Sequence, residues 1–208
     1  LHLSLRRQRQ MCIRDRHPEL RRHCLDAMVR KGYSLGCLSQ REAALAVNDE
    51  VIARYGNELS TSAEKDVALA MSNRAVQLDK LGRRAEELQT YDAIIVRWAR
   101  SDVAYLRERV ANARFCKAIT IADTDLDAAL ALYGHVIDTC LHAPEVALRT
   151  YAAKSSVNRG VRLRKAGRYE EAVACCEALV KACGAETDKD IAAQVVNCLL
   201  YTSPSPRD

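Results

Sequence analysis

What this chain lacks narrows its class before anything else is read. No apolar run approaches the ~20 residues of a membrane span, so no bilayer insertion is expected. There is no glycine-rich phosphate loop, no nucleophile elbow and no pair of histidines on one helix face. His135, beside Gly134, and His142, beside the Pro144 turn, read as ordinary surface side chains. The acidic pairs Glu86-Glu87 and Glu170-Glu171 recur at equivalent places and read as solvated charges at helix amino ends, not as a general acid and base. Sustained apolar–polar alternation is missing throughout, which removes a β reading. These absences point away from an enzyme and from any cofactor or metal site.

Charge of one sign and paired cysteines are lacking too, once the two ends are set apart. Arg6 to Asp15 (RRQRQMCIRD) and Cys198 to Asp208 (CLLYTSPSPRD) resemble frame translations of transposon-end sequencing adapters. Residues 1–16 and 198–208 are therefore expected to be adapter-derived, non-native and weakly packed, and 17–197 to be a fragment of a longer protein. The chain has 32 basic and 27 acidic residues, and the ends hold six of the Arg and two of the Asp, so 17–197 has a net charge of +1. With no basic block, a nucleic-acid partner is not expected. Seven cysteines remain between the ends: Cys24, Cys37, Cys116, Cys140, Cys175, Cys176 and Cys183. An odd count without a paired CxxC argues against a zinc site or disulfide framework. A metal cluster of Cys175, Cys176 and Cys183 is the alternative. Buried, reduced thiols imply a cytoplasmic setting.

What is present is a fourfold repeat. Aligned on one small residue, the chain reads RKGYSLGCLSQREAALAVNDEVIARY, NRAVQLDKLGRRAEELQTYDAIIVRW, CKAITIADTDLDAALALYGHVIDTC and NRGVRLRKAGRYEEAVACCEALVKAC. The small residues are Gly32, Ala75, Ala118 and Gly160, spaced by 43, 43 and 42 residues. A fixed period of this size with two helical patterns per unit is the mark of a helical repeat array, whose units bury their apolar faces only by stacking. The second pattern of each unit carries Leu45, Val51, Ile52 and Tyr55; Leu88, Tyr91, Ile94, Ile95 and Trp98; Leu130, Tyr133, Val136, Ile137 and Cys140; and Val173, Cys176, Leu179, Val180 and Cys183. Offsets of three and four place each set on one helical stripe. The first pattern repeats Met28, Leu35 and Leu38 as Met71, Leu78 and Leu81.

Boundaries are legible as well. Thr61-Ser-Ala-Glu64 reads as a capping box, and Pro144 suits the first turn of a helix. Gly56-Asn57 and Gly184 read as stops, and Gly82 and Gly167 as tight turns inside a repeat. The pattern predicts helices over 19–38, 41–55, 62–81, 84–99, 103–122, 125–141, 145–166 and 169–183, with a truncated one from about 188.

Asn158 to Val180, NRGVRLRKAGRYEEAVACCEALV, resembles the tetratricopeptide repeat, with Gly160, Leu163, Gly167, Ala172 and Cys176 at that family's small, large, turn, small and aromatic positions. A bacterial variant with an inserted segment, here VAYLRERVANA (Val103 to Ala113), would account for the longer period. The resemblance covers 17–197. Glu87, in place of the small Ala44, Ala129 and Ala172, and Asn48, in place of an aromatic, depart from it and imply looser local packing. A HEAT-like or armadillo-like array fits the period alone.

The resemblance implies an all-α, right-handed α-solenoid of stacked antiparallel helix pairs, about four repeats plus a truncated fifth. It further implies a protein-interaction scaffold that binds a peptide or helix of a partner along a concave groove lined by first helices. The alternatives are a sensor or regulatory repeat region of a larger bacterial signalling or effector enzyme, and a structural spacer. Arg30, Asn73 and Asn158, two residues before the small column, and Lys80 and Lys165, five beyond it, are the expected groove residues. No nucleic acid or membrane partner is expected, while uncapped ends are expected to self-associate.

Overall fold

A computed structural model describes residues 18–185 and 187–202. Among them lie nine helices and no strand: α1 Pro18–Cys37, α2 Arg41–Tyr55, α3 Thr61–Lys80, α4 Arg84–Trp98, α5 Ala104–Ile121, α6 Leu126–Cys140, α7 Val146–Lys165, α8 Tyr169–Cys183 and α9 Lys189–Thr202. Every helix expected from the sequence is present, with ends shifted by at most a residue or so. Contacts divide the chain into two compact units that meet inside α4, one running to Thr90 and the other starting at Tyr91. No described helix is long and apolar enough to cross a membrane.

In the first unit α1 and α2 form an antiparallel hairpin. Arg41 on α2 donates to the Gly36 carbonyl at the end of α1 (2.8 Å), while Arg21 near the start of α1 reaches the Arg54 carbonyl near the end of α2 (3.2 Å). Gly32 faces Asn48 between these points, and a Cβ there would lie 2.7 Å from Asn48 Oδ1. Helix α3 packs on both members of the hairpin. Its inner face buries Ala63, Val67, Ala68, Ala70, Met71, Ala75 and Leu78 together with Gln77.

The second unit repeats the scheme. Ala118 on α5 clusters with Tyr133 on α6, and Ala111 with Cys140, so the two helices run antiparallel. Helices α7 and α8 meet through Gly160 and Cys176 at one level and Ala153 and Cys183 at the next. Phe115 bridges two neighbours, edge-on to Tyr133 at 6.1 Å and tilted against Tyr151 at 6.0 Å. The column of Tyr55, Trp98, Cys140 and Cys183 is buried at every member, so these cysteines do the same packing work as the aromatics.

Three local readings need correction. The amino cap of α3 is Ser60, not Thr61: Ser60 is extended and its hydroxyl accepts from Ala63 N at 3.3 Å, so the cap sits one residue earlier than the sequence box suggests. Pro144 lies outside α7, whose N-cap position is Glu145 with no side-chain capping bond, and the Pro144 carbonyl instead accepts from Arg149 Nη1 at 2.9 Å. Residues 198–202, expected to pack little, continue α9, and Cys198 is fully buried with Cys176, Leu179, Ile191 and Val195. Ile191, Val195 and Cys198 recur at offsets of four and three, so the helix carries its apolar stripe through the point where the adapter resemblance begins. Residues 1–16 and 203–208 lie outside the described residues.

The turns within repeats share one backbone form. Gly82 and Gly167 hold φ of +69° and +75°, and the residue after each donates back five positions, Arg83 N to Leu78 O and Arg168 N to Leu163 O, both at 2.9 Å. Ser39 takes the same position in the first repeat at φ +60°, with Gln40 N bonded to Leu35 O. A Cβ at Gly82 or Gly167 would meet nothing, so any cost of adding one is backbone strain alone. Ser39→Gly is expected to raise stability, by somewhat under about 1 kcal/mol after the entropy cost of glycine, and Gly167→Ala to lower it by about 1 kcal/mol. Urea midpoints moving in the same direction for both would contradict this account.

Tyr133 is the largest fully buried side chain, and its hydroxyl has no partner among the described residues. Burial pushes its phenol from an ordinary pKa of 10.0 up to about 12. Below the ordinary value both the folded and unfolded forms keep the proton. Between the two values only the unfolded chain ionises, so stability drains away as pH rises, by about 2–3 kcal/mol in all. Tyr133→Phe is expected to remove this alkaline loss and to cost nothing at neutral pH, since no hydrogen bond is given up. Unfolding curves at about pH 8 and about pH 11 check it, and an unchanged alkaline loss in the variant would count against it.

Candidate functional site

The first helices of the repeats, α1, α3, α5 and α7, share a stripe defined by three positions: two before the small column, one after it and five after it. Steps of three and four keep these on one helical face. On α1 the stripe is Arg30, Tyr33 and Cys37, all exposed; on α3 it is Asn73, Val76 and Lys80. On α5 it is Cys116 and Ile119, with Asp123 in the turn that follows the helix, and on α7 it is Asn158, Val161 and Lys165. The middle position is apolar every time. Tyr33 is 61% exposed, Val76 49% and Ile119 41%, while Val161 is partly drawn into the neighbouring core.

Each expected groove residue has a definite setting. Arg30 is exposed and holds Asp26 of its own helix through two bonds of 3.0 and 2.9 Å. Asn73 is half-buried, with an amide nitrogen that is buried and unpartnered among the described residues. Lys80 is exposed beside Asp79, 3.0 Å away. Asn158 spends its amide on the Lys154 carbonyl of its own helix, at 2.9 Å. Lys165 is exposed. Arg30, Asn73 and Lys80 belong to the first unit; Asn158 and Lys165 belong to the second.

The apolar middle of the stripe was missed in the sequence, although the signal lay one residue beyond the aligned small column. Also missed were polar clasps that repeat with the period. Arg74 on α3 meets Asp49 on α2 at 2.6 Å, and 43 residues later Lys117 on α5 meets Asp92 on α4. Arg83 and Arg168 each open a second helix, grip the glutamate three residues on (Glu86 and Glu171) in a two-bond fork, and reach back to Glu42 and Asp127 of the preceding second helix. The fork to the arginine holds the Glu86 and Glu171 carboxyls below their usual range. These acids therefore serve as fixed counter-charges. Glu87, beside Glu86, is buried at 4% exposure.

Cys140 and Cys175 are pushed up by burial, which keeps their thiols neutral, and Cys175 Sγ donates weakly to the Ser156 carbonyl at 3.5 Å. Cys176 and Cys183 sit in the core beside α9. No cluster of three or more His, Cys, Asp or Glu side chains able to hold a metal occurs among the described residues. No family model, curated protein or solved structure matches the chain.

Arg74 is the most connected of the clasp residues, touching Asp49, the Thr90 hydroxyl and, at 3.7 Å, Glu86. Arg74→Met is expected to cost about 1–2 kcal/mol, because the nearly buried Thr90 loses a charged partner. Lys117→Met, which gives up a single half-exposed pair, should cost under about 1 kcal/mol. Equal losses in thermal or urea unfolding would show that the clasps are surface decoration.

Proposed function

We propose that the chain is a protein-interaction scaffold of the tetratricopeptide type, taking a peptide or helix of a partner along the exposed stripe of its first helices. The observation that carries this reading is the recurrence of an exposed apolar side chain, Tyr33, Val76 and Ile119, at one column of the repeat. Single exposed apolar residues are ordinary on any surface, but the same position left exposed in successive repeats is a patterned surface. In the first unit Tyr33 and Val76 occupy the same column on α1 and α3, two helices that pack directly on each other. Arg30 and Lys80, both exposed, share the stripe with that pair, and Asn73 between them is half-buried.

The same reading makes the helix pairs turns of a right-handed α-solenoid, with Asn158 and Lys165 on the matching stripe of α7. Cys140, Cys176 and Cys183, used as unbridged packing side chains, support a reducing, cytoplasmic setting.

Selection from a random-peptide display library against the full chain tests it. Enriched peptides are expected to bind in the micromolar range and to lose at least tenfold in affinity when Tyr33, Val76 and Ile119 are all changed to Ser, with helical circular dichroism retained. Peptides that bind the triple variant as tightly as the wild type would overturn the assignment of the stripe.

A further inference from the structure

In the second unit a cleft of about 100 Å³ opens between the carboxyl end of α4 and helices α5, α6 and α7. Trp98, Val110, Ala111 and Leu148 form its apolar wall, and Arg107, Arg114 and His135 bring nitrogen to it. Arg114 is the anomaly. It lies four residues before the small column, where α1 and α3 carry the packing side chains Met28 and Met71, so a cation replaces a thioether at a position built for apolar contact. The Arg114 guanidinium meets no carboxylate among the described residues, whereas Arg107 is matched by Glu145 at 3.3 Å. One positive charge is therefore left over in a partly desolvated cleft. The cost of that desolvation appears as an Arg114 pKa drawn below its ordinary value.

The contrast with the first unit is instructive. Its larger cleft, about 380 Å³, is lined by Arg21 and Arg22 but also by Glu58 and Asp66, and is balanced from within. In the second-unit cleft no carboxylate among the described residues balances Arg114. We propose that the Arg114 cleft binds a single oxyanion, a phosphate or carboxylate group, with Arg114 as the anchor and His135 as a rim donor. A guanidinium offers two parallel N–H groups to such a planar or tetrahedral edge, and the apolar wall of Trp98 and Leu148 strengthens the pairing by excluding water.

The groups that face His135 are known: burial and the Arg114 charge pull its pKa down, and Asp138 on its own helix pushes it up. The Thr139 hydroxyl is spent on the His135 carbonyl at 2.7 Å, and the Cys140 thiol, held up by burial, stays neutral. An anion seated on Arg114 cancels the largest charge acting on the imidazole, so the His135 titration reports occupancy.

The experiment is a titration of the full chain with inorganic phosphate at constant ionic strength, following the His135 ring proton by NMR. Saturation is expected in the millimolar range, with the His135 midpoint moving up by about one pH unit. Arg114→Met, which restores the side chain used in the first two repeats and so keeps the fold, should abolish both effects, while Lys181→Met on the exposed face of α8 should change neither. Parallel titrations with acetate and with a phosphoserine peptide separate the sources: a peptide that binds more tightly than free phosphate marks a chain-borne group, and equal affinity marks a free ion. A linear, non-saturating response, or saturation that survives Arg114→Met, would overturn the proposal.

Discussion

Everything in these repeats depends on how close the two helices of a hairpin can come at one level. A side chain from the second helix lies directly over a residue of the first that has little or no side chain. At Gly32 the space is filled by Asn48, and at Gly160 by Cys176, whose sulfur would sit 3.2 Å from an added Cβ. At Ala118 the occupant is Tyr133, which disappears from solvent entirely. Size at one column is thus traded against size at the other. This explains why a column can accept Asn, Tyr and Cys without changing the fold, and why Gly32 cannot grow unless Asn48 gives way.

That same contact explains where polar chemistry accumulates. Asn48 fills its space without satisfying either amide atom among the described residues, so the first hairpin carries a buried polar group that its apolar counterparts avoid. Farther out, neighbouring helices within each unit are joined by ion pairs at fixed offsets, Arg74 with Asp49 and Arg83 with Glu42 in the first, Lys117 with Asp92 and Arg168 with Asp127 in the second. Each is weak alone. Their recurrence at the same level means that, within each unit, register between neighbouring helices is specified by charge as well as by packing.

The helices were legible in the sequence because their causes are local: a stripe at offsets of three and four, glycine where φ must be positive, and a stop after each apolar run. Ser39 shows the limit of that logic, since it adopts φ +60° with no glycine to announce it. The amino cap of α3 was misplaced because Ser60 and Thr61 are chemically interchangeable as caps, and only the path of the chain chooses between them. Cys198 was assigned to a foreign tail on resemblance, yet α9 needs only Ile191, Val195 and Cys198 at the right spacing to bury it. Packing reads side-chain spacing and is indifferent to origin.

The candidate surface was half legible for a related reason. Polar residues at a shared column, such as Asn73 and Asn158, attract notice because they recur, but an apolar residue in a helical repeat is assigned to the core by default. Tyr33, Val76 and Ile119 break that default, because they sit one position beyond the small column and so point about 100° away from the hairpin contact. The close approach that buries Tyr133 and Cys176 thereby turns the adjacent position away from the hairpin contact, exposed at Tyr33, Val76 and Ile119 and half-buried at Val161. Apolar character at Tyr33, Val76 and Ile119 therefore adds little to the hairpin interior.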